Sequence, residues 1–173
     1  MIASPFFVEN LKRLPGVGQS LAPLKAIAYH LAKVLPRGGV VGVVYPKGIA
    51  EEILAGVAKE RNCRIRCFGA SQKLCLQLQR EGVLEVREDV PIDVFLTEPD
   101  GFGPNGAWVR PNESELLVSL PVVGFGSVLQ WSQQTPKSHD LVPLKGVVSE
   151  KGVYNSTALL DEEVRATLPW LVS

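Results

Sequence analysis

Apolar residues recur at helical spacing along Leu21–Leu35. Leu24, Ile27, Ala28, Leu31 and Leu35 share one face, and Pro23 suits the first turn. Pro36-Arg37-Gly38-Gly39 ends that segment. Val40–Tyr45 follows as a β-branched run without alternation, the pattern of a strand covered on both faces. The 3.6-residue period resumes over Gly48–Glu60 through Ile49, Ile53, Leu54 and Val57. Cys63–Phe68 reads as a second strand and Ser71–Arg80 as a further helix carrying Leu74, Leu76 and Leu78. Val83–Val86 and Ile92–Thr97 read as strands, Val128–Trp131 as a less marked one, and Leu159–Leu168 as a terminal helix. Strands and helices that alternate with short Gly/Pro joints imply an α/β domain, a Rossmann-like parallel sheet with helices on both faces.

Length and composition narrow the class. With 173 residues, 46% of them hydrophobic and 21% charged, the chain supports one packed domain. It divides into an N-terminal arm, residues 1–20, and a domain over residues 21–173. Lys plus Arg and Asp plus Glu are 18 each, so the basic excess that general nucleic-acid binding requires is missing. Leu11–Ala22 holds a Gly16-Val17-Gly18 turn of helix–hairpin–helix type, but charge balance and Pro23 set a DNA role aside. Three cysteines, none in C-x-x-C, argue against a disulfide framework and for a reducing cytoplasm. Met1–Asn10 has no signal-peptide pattern. Leu116–Pro136 is uncharged, but its Pro121, Gly124 and Gly126 fit buried sheet and loop better than a membrane span.

In parallel sheets ligands sit beyond the carboxyl ends of the strands. That rule selects three loops: Tyr45–Gly48, Gly69–Gln72 and Glu98–Asn112. The first two lead into helix N-termini, where free N–H groups favour an anion and Lys47 beside Gly48 adds a charge. Ordinary βα turns with a solvated lysine would look the same. The third loop brings two carboxylates, Glu98 and Asp100, to a strand end, a place from which a carboxylate can move a proton. The competing role for Asp100 and Asn105 is to brace the turn.

The strand and loop Asp93–Gly106 resembles the motif V-D-x-V-x-x-G-A-D-x-x-x-x-N-G of one family. That family comprises the alpha, beta and delta subunits of eukaryotic initiation factor 2B with methylthioribose-1-phosphate and ribose-1,5-bisphosphate isomerases. Asp93, Asp100 and Asn105-Gly106 fall in register. Upstream, Leu31–Tyr45 follows the family's helix, turn and apolar strand. Downstream, Asp140–Pro143 and Val147–Val153 are similar to its closing D-x-x-P-P…I-T-E-x-G-V tail. The resemblance spans about residues 25–165. It implies a fold of ribose-phosphate-isomerase and CoA-transferase-like type, a sugar-phosphate or nucleotide pocket, and a homodimer formed through this domain.

The departures bear on activity. The isomerases' cysteine after the first strand is absent from Tyr45–Gly48. Their N-K pair after N-G falls on Arg110-Pro111, and G-A-D is Glu98-Pro99-Asp100. The family's N-terminal helical domain and the helix before its strand-end motif are also missing. Two expectations result. One is a non-catalytic or regulatory, self-associating protein that keeps the pocket. The other is an isomerase with Asp100 as acid/base and Glu98 or His139 as its new partner.

Other polar residues complete the candidate set. Arg110 has the chemistry to pair with a phosphate, and Lys137 and His139 occupy a ligand-side loop, each against the plainer role of a solvated side chain. His30 reads as structural. Cys63 and Cys67 make no zinc site without further Cys or His, and no metal or cofactor is expected. Phe102, Phe125 and Trp131 read as core.

Overall fold

The computed structural model describes residues 22–117 and 121–167. The N-terminal arm and the Gly16–Gly18 turn lie outside the described residues. Helix α1 (Ala22–Val34) leads into strand β1 (Val40–Val44), α2 (Gly48–Arg61), β2 (Arg64–Phe68) and α3 (Gln72–Arg80). Strand β3 (Val94–Thr97) is followed by a hairpin, β4 (Gly101–Gly103) and β5 (Gly106–Val109), and by a single helical turn, α4 (Pro111–Ser114). Then come β6 (Val122–Phe125), β7 (Asp140–Val142), β8 (Gly146–Ser149), β9 (Gly152–Tyr154) and α5 (Ala158–Thr167).

The main sheet has the order β2-β1-β3-β6-β8-β9 and is parallel except for β9. Every residue of β1 is buried, as its unbroken β-branched run requires. Alternate residues feed two cores. Val41, Val43, Leu96 and Phe125 meet Ile27 and Leu31 of α1, Leu54 of α2 and Leu74 and Leu78 of α3. Val44, Phe95, Val122 and Val147 meet Leu160 and Val164 of α5 and the inner side of a second, antiparallel sheet, β4-β5-β7. Helices therefore flank both faces, and among the described residues α1, α2 and α3 lie on one and α5 on the other. Gly42 makes room on the second face, because a Cβ there would lie 2.4 Å from the Phe95 ring.

Two expected strands are reduced. Val83–Val86 contributes one parallel bridge, Leu84 to Ile65, outside β2. Buried Glu85 and exposed Val86 break its apolar pattern. Val128–Gln130 is a 3-10 turn, since Ser127 caps it by accepting the Leu129 N–H and Gln130 returns a bond to the Ser127 N–H at 2.6 Å. The small sheet is an addition that strand periodicity did not predict as a unit.

The bridge at Leu84 explains the missing helix before β3. From β1 the chain steps outward through α2 to β2, then through α3 to Leu84. It next returns past β1 to β3 with no further helix between. The crevice beyond the carboxyl ends of β1 and β3 is thus the point where strand order reverses, the favoured ligand position in open α/β sheets.

Candidate functional site at the strand-order reversal

Tyr45 ends β1 with a left-handed backbone, φ 44°, and its N–H donates to the Phe68 carbonyl at 2.7 Å. The chain turns there into α2, whose cap position, Lys47, supplies no side-chain cap. The cap comes from Glu98, 51 residues away. Its Oε1 accepts from the Lys47 and Ala50 N–H groups at 3.0 and 2.9 Å, and its Oε2 from Ile49 at 3.1 Å. Lys47 Nζ in turn donates to the Glu98 main-chain oxygen at 2.6 Å. Glu98 is wholly buried. Burial pushes its carboxyl above the usual range, while the three N–H donors and the Lys47 charge oppose that shift.

Asp100 is 8% exposed. Its Oδ2 lies 2.6 Å from His139 Nε2 and 3.7 Å from Arg110 Nε, and its Oδ1 lies 3.7 Å from Lys47 Nζ. His139 Nδ1 lies 2.9 Å from the Lys137 carbonyl oxygen, so it is the donor there. The 2.6 Å contact joins Nε2 of the same ring to the Asp100 carboxyl as a short hydrogen bond. An open cavity in front of Asp100 was expected from the sequence. The carboxylate is instead nearly buried and held by Lys47, Arg110 and His139.

Glu113, on α4, was not among the sequence candidates. It is buried, with Oε1 3.5 Å from Lys47 Nζ and Oε2 without a hydrogen-bond partner among the described residues. Burial, with the Asp100 charge as a smaller contributor, raises its carboxyl above the usual range against the pull of Lys47 and Arg110. It sits in the polar stretch Pro111–Glu115, and its partner is 66 residues upstream, so no local pattern marks it.

Lys47, Gly48, Glu98, Asp100, Arg110 and His139 thus gather at the crevice, with Lys137 attached through its carbonyl oxygen. Asn105 and Gly106 have other duties. Asn105 is at the exposed hairpin tip with φ 71°, behind Pro104, the arrangement of a type II turn. Gly106 lets β7 approach, since a Cβ there would lie 2.3 Å from the Val142 carbonyl oxygen. Bracing the turn, the plainer reading of Asn105, matches this geometry. Among the described residues no group of three or more His, Cys, Asp or Glu is placed to hold a metal, and no helix is long and apolar enough to cross a membrane. Phe102, Phe125 and Trp131 are core, as expected.

The cluster sets three carboxylates, Glu98, Asp100 and Glu113, against Lys47, Arg110 and His139. It has little surplus positive charge for a phosphate. Arg110, 60% exposed along its side chain, is its outermost cation.

The fold defines an α/β domain with a mainly parallel sheet, its candidate site at the reversal of strand order. Solved structures share this architecture. Initiation factor eIF2B beta from Chaetomium thermophilum superposes with a TM-score of 0.64 at 15% identity, over 84% of this chain and 55% of that one. The tetrameric eIF2B-beta2-delta2 complex from C. thermophilum gives 0.65 at 14%, over 90% and 62%. The eIF-2B delta subunit from A. fulgidus gives 0.63 at 13%, over 85% and 62%. The chain spans little more than half the length of these proteins. At such identities the likeness establishes the eIF2B-type fold alone. No protein-family model matches the chain, and no curated protein sequence matches it.

Proposed function

We propose that this chain is a non-catalytic, regulatory domain of the eIF2B fold that works through protein contact, self-association first. The observation that carries the reading is the state of Asp100. It is the single isomerase acid/base that the sequence resemblance transfers, and His139, Lys47 and Arg110 take up its oxygens. Both nitrogens of His139 are themselves engaged. Aldose–ketose isomerisation needs a base and an acid free to reach adjacent carbons, and neither group is free in this arrangement. A multi-subunit eIF2B assembly among the structural neighbours supports the self-association part. A reducing cytoplasm fits three free thiols, of which burial beside Cys75 pushes Cys67 up to about 12.

The test is turnover of ribose and methylthioribose phosphates together with sedimentation equilibrium. The reading expects no turnover and a concentration-dependent dimer. One observation favours the isomerase alternative: His139 does reach Asp100, as a replacement partner would. Turnover that Asp100→Asn abolishes would establish that alternative and end the first reading.

A further inference from the structure

Cys67 lies near the end of β2 and Cys75 in the first turn of α3. Strand alternation sends Ile65 and Cys67 toward the core under α1, α2 and α3, and Phe68 toward the other core. Only Gly69, Ala70 and Ser71 separate β2 from α3, so the first turn of the helix stands beside the end of the strand. Leu74 and Leu78 set the rotation of α3 by burying against that same core. Cys75, next to Leu74, is left half-buried on the flank of the helix. The two thiols meet there. Both are free and half-buried, and a side-chain hydrogen bond joins them. Cys63, 1% exposed, is enclosed in the core instead. Among the described residues no further His, Cys, Asp or Glu joins the pair in a group that could hold a metal. Two adjacent thiols without such a group can still lose two electrons and two protons together.

We propose that Cys67 and Cys75 are a reversible oxidation site, which closes to a disulfide tying α3 to β2 when the surrounding small thiols are oxidised. The co-reactant is a low-molecular-weight disulfide such as oxidised glutathione. Burial, and then Cys75, pushes the Cys67 thiol up to about 12. Cys67 is therefore protonated at neutral pH, and the first attack falls to Cys75. The Cys75 thiolate bonds to one sulfur of the small disulfide, whose S–S bond breaks and releases one thiolate. Cys67 then attacks the Cys75 sulfur and expels the second thiolate. The protein gives up two electrons, and its two protons end on the two released thiols. The link spans the Gly69–Gln72 loop and leaves the fold in place, because the two side chains already adjoin.

The test is incubation of the folded chain, residues 1–173, with oxidised glutathione, followed by denaturing alkylation and peptide mass mapping. The expected product holds one intramolecular Cys67–Cys75 disulfide, leaves Cys63 to the alkylating agent, and reverts with dithiothreitol. Its circular dichroism should match that of the reduced protein. Cys67→Ser should stop with glutathione retained on Cys75. A glutathione adduct that persists on wild-type Cys75, a link to Cys63, or a link that forms only in urea would overturn the proposal. So would a folded wild-type chain whose thiols all stay reduced in excess oxidant. These outcomes are read on the wild type, so they decide the matter if Cys67→Ser does not fold.

Discussion

The 2.6 Å contact between Asp100 and His139 and the wholly buried carboxylate of Glu98 answer the same physical demand. A polar group withdrawn from water must recover hydrogen bonds from the protein. For Glu98 three backbone donors supply them, so Glu98→Ala orphans three N–H groups at once. We expect a loss of roughly 1–3 kcal/mol, the combined scale of a lost cap and unsatisfied buried donors, read by urea denaturation. Asp100 keeps Lys47 and Arg110 when His139 goes, so His139→Ala should cost about 1–2 kcal/mol, the scale of one lost hydrogen bond and the exposure of a buried acceptor. Glu98 and Asp100 were legible in the sequence because a strand end followed by turn residues marks a sheet mouth. Their roles were not. Glu98 stands where the resembled motif has glycine, and only the folded chain reveals that the extra carboxylate reaches the start of α2. Glu113 was invisible for a related reason: nothing within its own turn signals a lysine brought near by the sheet.

At the scale of elements, long periodic segments read true because burial imposes their period. Helices α1, α2, α3 and α5 and strands β1, β2 and β3 form within a residue or two of expectation. Short segments failed where side-chain bonds outweigh propensity. Val128–Gln130 carries strand-forming valine, yet the Ser127 and Gln130 capping bonds wind it into a 3-10 turn. The β4–β5 hairpin carries no clear alternation in the sequence, because its strands are only three and four residues long. Two substitutions test what holds these elements. Gly42→Ala would press a methyl onto the Phe95 ring inside a filled core, so it should destabilise by about 1–3 kcal/mol through overpacking. At the hairpin tip, glycine adopts φ 71° freely whereas valine does not. Asn105→Gly should leave stability within about 0.5 kcal/mol, and Asn105→Val should cost about 1–2 kcal/mol. A ligand-binding Asn105 would instead lose an interaction in both variants, which a binding assay separates from the melting data.

For the whole molecule, the buried and paired carboxylates act on stability in opposite directions as pH changes. Glu85 bonds to Arg87 at 2.8 Å and lies 3.5 Å from Arg64, and these partners, Arg87 foremost, hold its carboxyl down to about 2. A depressed folded-state value means that its contribution is complete above the unfolded carboxylate range, near pH 4.5, and is lost as pH falls toward 2. Glu113 and Glu98 behave in reverse. Burial raises both, so between the unfolded value and the folded one the native state holds more protons than the unfolded state, and stability falls as pH rises through that window. The pH profile should therefore have two limbs, a loss on the acid side from Glu85 and a decline above the ordinary carboxylate range from ionising the crevice carboxylates. Two variants assign the limbs. Glu113→Gln should flatten the decline above the ordinary carboxylate range without changing the acid limb. Arg87→Ala should lower stability at neutral pH and make the acid limb shallower, because a Glu85 freed of its partner titrates closer to its unfolded value. Denaturation midpoints measured across pH for the wild type and both variants check the assignment. A Glu113→Gln curve parallel to the wild type at every pH would show that this carboxylate does not titrate with folding, and would leave Glu98 to account for the upper limb.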